Sequence, residues 1–331
     1  MTNVRGGLPG LIDALRAVHA GGARSVLGIV FATTGSTYQK RGAMMVLDEH
    51  GLRYGVISGG CLEPEVEECA RDVLRNDRAA SVDFDMRTDE DVTFGSGTGC
   101  RGRVRLLLSP QRDGAPLTDA LLSLVNGEDA LSLSLMCSGD NIGAGRASLG
   151  KKLWNWNRDG SAASATTDGA IELKIDPPPR VLLLGAGAES APLQEFVRRL
   201  GWRSVCVEHR GRWLDFARRA DVDEIVEQPP QAAADAWRSQ RIDAAVAMSH
   251  NYAMDSTNLG LLAASDIGYI GLLGPASRRD QLLGELGADV AARLRDRLHA
   301  PVGLHLGGSG PEVLALSIAS ELQRYFAERT R

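Results

Sequence analysis

The sequence predicts an α/β protein: an N-terminal α/β domain followed by a Rossmann-like, doubly wound parallel-sheet domain. Three observations predict it. Glycine is frequent, at 38 of 331 residues, while aromatics make up 5%, a balance suited to many tight strand-to-helix turns. After residue 180, apolar strand-like runs alternate with helical stretches, as in a mostly parallel sheet with helices on both faces. Between the halves stands "DPPPR", whose prolines 177–179 form a stiff boundary. The domains read as 1–176 and 177–331, and a length of 331 residues suits two domains of roughly 100–200 residues each.

Residues 8–20 have helical apolar spacing and end at Gly21-Gly22, and "SVLGIVFATTG" reads as a buried strand entering a loop at Gly35. "GAMMVLDEHGLRYGVIS" reads as two strands joined at His50-Gly51. Leu62 to Arg75 is helical, with Pro64 tolerated in the first turn. "SVDFDM" and "GRVRLLLSP" supply further strands around the glycine loop 94–102. Residues 111–176, with an alternating "DALSLSLMC" and then Gly-, Ser- and Asn-rich stretches, are read as closing strands, loops and a linker. In the second half, "RVLLLGAGAESAPLQEFVRRLGWRSVCVEHR" is strand, glycine turn, helix and strand; "AAVAMSH" and "YIGLLG" are further strands.

Composition excludes some functions. The net charge is −5 and no basic block carries interleaved aromatics, which argues against nucleic-acid binding. No apolar run approaches the roughly 20 residues of a membrane span, and the N-terminus lacks a signal-peptide core, so a cytoplasmic protein is expected. Five cysteines without a CxxC pair argue against a disulfide framework or a zinc site.

Four segments carry chemistry. In "ISGGCLEPEVEECA", Gly59 and Gly60 can present amides to an anion, and Cys61 stands at the start of a helix, where the dipole favours thiolate; packing as a small apolar residue is the alternative. Two loops are candidates to converge there: "TTGSTYQKRGAMM", with Ser36, Lys40 and Arg41, and "GSGTGCRG", with Gly99 and Cys100. Gly185 and Gly187 fit G-x-G-x-x-G/A except that Ser190 holds the last position, and Glu208 closes the next strand 23 residues after Gly185. That places a pyrophosphate at a helix N-terminus and an acid on ribose hydroxyls; the alternative is that the glycines only pack helix on strand. His250 lies at a strand's carboxyl end, with Asp255 as a candidate partner.

"GSTYQKRGAMMV", "ISGGCLEPEV", "GTGCRG", the Rossmann turn, "SHNYAMD", "YIGLLGPASRR" and "LHAPVGLHLGGSGPEVLALSIASEL" occur in an order that resembles the XdhC/CoxI family of molybdoenzyme maturation factors. The resemblance implies binding of molybdenum cofactor, its protection and sulfuration, and its insertion into an apo-molybdoenzyme of the xanthine dehydrogenase family. It also implies a homodimer and leaves room for a cysteine desulfurase as a further partner. The family's two motif cysteines fall on Cys61 and Cys100, with Cys61 expected to meet the molybdenum or relay sulfur. Two departures stand out: Ala188-Glu189 replaces a histidine after the second glycine, and Asn251 replaces an acid.

The leading reading is therefore a cofactor-binding chaperone that needs no turnover. The alternative is an NAD(P)-dependent oxidoreductase using Gly185, Gly187 and Glu208; the Rossmann domain is also open to another nucleotide or to none. A cysteine hydrolase would need His19 or His50 beside the thiol.

Overall fold

The computed structural model describes residues 5–51, 53–86, 102–162 and 170–329. The chain divides into two units: Gly7–Pro177, and Pro178–Arg331 together with the first six residues. Residues 5 and 6 thus belong with the second unit rather than the first. The Gly6 amide donates to the Arg198 carbonyl at 2.8 Å, and Arg5 pairs with the largely buried Asp223.

The first unit holds two antiparallel sheets. Strands β1 (Ser25–Gly35), β2 (Met44–Asp48), β3 (Arg53–Tyr54), β4 (Ala80–Asp85) and β5 (Gly102–Gln111) lie in the order β3-β2-β1-β5-β4. Strand β1 is central and buried on both faces, which explains its unbroken apolar run. Val26 and Val30 face one cluster, completed by Val66, Ala70 and Val73 of the helix Glu63–Asn76. Leu27 and Ile29 face another, shared with the helices Gly7–Ala20 and Pro116–Asn126. A register shift between Val30 and Ala32 in the β1–β5 pairing bends the strand end that carries the 36–42 loop.

The second sheet comes from the segment read as closing strands and loops. Strands β6 (Leu131–Leu135), β7 (Gly145–Leu149), β8 (Lys152–Trp156) and β9 (Ile171–Ile175) run in the order β8-β7-β6-β9. The fully buried Trp156 anchors it, its indole N–H donating to the Gly143 carbonyl at 2.9 Å. The helix Pro116–Asn126 in this stretch was not anticipated. Pro116 opens it, and Leu117, Ala120, Leu121 and Leu124 form its buried stripe.

The second unit is a parallel sheet of β10 (Arg180–Leu184), β11 (Arg203–Val207), β12 (Glu224–Val226), β13 (Ala244–Ala247), β14 (Ile270–Leu272) and β15 (Leu298–His299). Its order is β12-β11-β10-β13-β14-β15. The helices Ser190–Arg199 and Pro311–Arg329 cover one face, and Pro230–Arg238, Tyr252–Ala263 and Ala276–Leu286 the other. The chain winds outward in opposite directions from β10 and β13, so the switch point lies at their carboxyl ends. No helix among the described residues is long and apolar enough to cross a membrane.

Candidate functional site

In the first unit, Cys61 follows a loop whose shape is set from below by one carboxylate. Glu63, 1% exposed, accepts from the Ile57 amide at 3.1 Å and the Ser58 amide at 2.9 Å, and also from the Ser58 hydroxyl. The Ser58 oxygen in turn accepts from the amides of Gly60 (3.3 Å) and Leu62 (2.9 Å). Burial pushes the Glu63 carboxyl up, but the bonds from Ser58 and Ile57 together outweigh it and hold the group below its ordinary range. Glu63 shapes the loop through these bonds. It is the clasp of the loop.

Above the clasp the loop is open. Gly59 and Gly60 are exposed and Cys61 is half-buried. Gly60 sits at φ +111°, and a Cβ placed there would meet nothing within 4 Å. The helix itself begins at Glu63 with Leu62 as its cap, so Cys61 precedes the first turn. Cys69 packs half-buried against the sheet, with burial raising its thiol. Cys137 and Cys206 are buried and pushed up to about 11 and about 12 by desolvation, as inert core thiols are.

The 36–42 loop reaches this region, since a Cβ on Gly59 would touch the exposed Tyr38 ring at 3.9 Å. The same loop abuts the start of β5, where a Cβ on Gly102 would fall 2.3 Å from the Ser36 carbonyl oxygen. Ser36 and Lys40 are exposed, and the Lys40 amine lies 3.4 Å from the Thr37 carbonyl. The Arg41 guanidinium donates to the Glu172 carbonyl on β9. Gly99 and Cys100 lie outside the described residues. Of the histidines of the hydrolase reading, His19 Nε2 lies 3.2 Å from Ser25 Oγ, and His50 sits in the exposed turn after β2.

In the second unit, the predicted turn and His250 do meet at the switch point. Gly185, at φ +107°, allows close packing: a Cβ there would lie 2.4 Å from the Ser249 Cα. His250 Nε2 is 2.8 Å from Glu189 Oε1, and that hydrogen bond raises the imidazole above its ordinary value despite burial. Trp213 stacks on the ring at 5.5 Å, and the guanidinium of Arg210 lies over Trp213. Asp255 is not the partner of His250. It accepts from Ser249 Oγ at 2.5 Å and pairs with Arg278 at 2.6 Å.

Glu208 is fully buried and already engaged. It accepts from the Ala186, His209 and Arg210 amides and is clamped by the Arg210 guanidinium at 2.9 and 2.6 Å. Desolvation pushes its carboxyl up, and the Arg210 bonds more than reverse this. Sequence reasoning missed Glu63, Ser58, Glu189, Arg210 and Trp213. Only Glu189 left a signal, as an acid in a turn expected to face phosphate.

A glycine-thiol loop on an antiparallel α/β unit, carried in one chain with a Rossmann-like unit, defines a two-module α/β protein. The chain belongs to the XdhC and CoxI family: residues 18–85 match the XdhC and CoxI family model and residues 181–322 the XdhC Rossmann domain. It is similar to a Bacillus subtilis protein named as a probable subunit of xanthine dehydrogenase, with 28% identity over 322 residues, 90% of this chain and 92% of that one. A crystal structure described as a xanthine dehydrogenase from Bacillus halodurans superposes with a TM-score of 0.80. It is 25% identical to this chain, and 96% of each chain is covered.

Proposed function

We propose that this protein is a maturation factor that carries molybdenum cofactor as cargo. It assists sulfuration of that cargo and its insertion into an apo-molybdoenzyme of the xanthine dehydrogenase type. Family membership and the names of both relatives support the reading. One observation carries it to particular residues: the "SGGC" loop is locked from beneath by Glu63, open above Gly60, and presents a half-buried thiol. A soft thiol beside exposed backbone suits a metal–sulfur centre borne on a flat, phosphorylated heterocycle. No group of three or more histidine, cysteine or acidic side chains among the described residues is arranged to hold a metal. The molybdenum would therefore arrive with its own ligands, and Cys61 would add one contact.

In this reading Gly59 and Gly60 give close approach, Ser36 offers a hydroxyl from the facing loop, and Lys40 supplies the positive charge for the phosphate. Arg41 is held by its carbonyl partner. A homodimer acting in the cytoplasm, with a desulfurase as sulfur donor, completes the proposal. The test is activation of a molybdenum-free apo-xanthine dehydrogenase by the cofactor-loaded protein. Wild type restores hydroxylase activity and Cys61→Ala does not; full activation by Cys61→Ala removes the assigned role.

A further inference from the structure

The turn of the second unit has the outline of a dinucleotide site, and its residues do not fit one. Such a site needs free amides at the glycine turn, room over the second glycine for a pyrophosphate, and an acid free to accept from ribose. All three are taken by the chain itself. The Ala186 amide donates to Glu208 and the Gly187 amide to Ser190 Oγ at 2.9 Å. The space over Gly187 is occupied by two side-chain ends: a Cβ there would meet His250 Nε2 at 2.5 Å and the Glu189 carboxylate oxygens at 2.6 and 2.8 Å. Glu189 is 3% exposed and directly precedes the helix Ser190–Arg199, the position an anionic ligand would take. Glu208 holds Arg210 instead of a ribose.

We propose that the switch-point crevice of this chain excludes pyrophosphate-linked nucleotides: Glu189 sits in the pyrophosphate's seat as an internal anion, and Ser190 takes the turn amide. The inference is independent of what Cys61 carries. The second unit then acts without a nucleotide, and its glycines serve packing. A phosphate entering would meet a buried carboxylate at contact distance in a low-dielectric site, where like charges repel strongly. His250 satisfies that carboxylate, and Trp213 covers the imidazole.

The test rebuilds the missing features. Glu189→Ala removes the internal anion, and Ser190→Gly frees the Gly187 amide and restores the third glycine of the fingerprint. Calorimetric titration with NADH, NADPH and CTP is run on the full chain, wild type and double variant. Wild type is expected to bind none of them with Kd below about 1 mM, and the double variant to bind NADH at least about tenfold more tightly. Sub-millimolar binding by wild type overturns the proposal. So does a folded double variant that still binds nothing, because the exclusion would then lie elsewhere. Where the double variant fails to fold, Glu189→Gln keeps the volume and removes the charge. The His250 ring protons, followed by NMR, are then expected to titrate at lower pH than in wild type. An unchanged midpoint would show that Glu189 is not the internal partner and would equally overturn it.

Discussion

The two glycine turns of this protein are built from the same materials and end in opposite states. In each, a buried glutamate accepts from the loop backbone: Glu63 from the Ile57 and Ser58 amides, Glu208 from the Ala186 amide. At residues 57–63 the carboxylate lies under the loop and the space over Gly60 is empty. At residues 185–190 the space over Gly187 is filled by Glu189 and His250. A glycine turn with acids nearby is thus neither a site nor a filled one until the side of the loop holding the carboxylate is known. Sequence proximity does not reveal that side, because His250 lies 61 residues from Glu189.

The sharpest way to break this comparison is to add one methyl group to each turn. Gly185→Ala drives a Cβ into the Ser249 backbone at a positive φ; overpacking and left-handed strain together cost about 3–5 kcal/mol, read by urea denaturation. Gly60→Ala meets no neighbour and carries only the backbone cost of about 1–2 kcal/mol. Equal costs would mean the two turns are not different in kind.

Next in size is the clasp. Glu63→Ala leaves two buried amides and a hydroxyl without their acceptor, at about 1 kcal/mol or more each. It also frees the loop, so alkylation of Cys61 by iodoacetamide, followed by peptide mass, is expected to accelerate several-fold. Because the Glu63 carboxyl is depressed in the folded state, its contribution is present above the unfolded pKa. It is lost as pH falls through the lower folded value.

A similar buried acid in the second unit, away from both turns, gives a control. Glu321 accepts from Tyr269 at 2.8 Å, the Gly303 amide at 2.6 Å and His299 at 3.1 Å. Burial pushes its carboxyl up, yet these bonds hold it at about 2. Glu321→Gln is expected to cost about 2–3 kcal/mol at pH 7, with the deficit shrinking as pH falls from about 4.5 toward about 2. A deficit independent of pH would show that the charge is not what matters. The smallest effect is at His250. Its folded pKa is raised by Glu189, so His250→Ala loses about 1 kcal/mol below the unfolded pKa. The loss fades as pH rises through the folded one.

Much of the fold was legible because the signals were local. The continuous apolar run of β1, the alternating strands and helices after Pro179, and Pro64 in a first turn each have one structural meaning. The helix Pro116–Asn126 was missed although its apolar spacing was present, since short polar segments on either side read as loop. In the sheet β8-β7-β6-β9, β6 was legible from its alternation, while the bounds of β7 and β8 hid among glycines and asparagines because burial of Trp156 by Gly143 and Gly145 is a tertiary contact. Of the candidate residues, the placement of Gly59, Gly60 and Cys61 in a loop before a helix was legible, and so was that of His250 beyond a strand's end. What was not legible was occupancy. Arg41 finding Glu172, Glu208 finding Arg210 and Glu189 finding His250 are pairings made by the fold.

The central claim is that cargo is held at the Cys61 loop and not in the second unit. It is tested most directly by purifying wild type, Cys61→Ala and His250→Ala from a molybdate-replete host, then denaturing, oxidising and measuring pterin fluorescence. The account predicts pterin with wild type and His250→Ala and little or none with Cys61→Ala. Pterin retained by Cys61→Ala, or lost from His250→Ala alone, would contradict it.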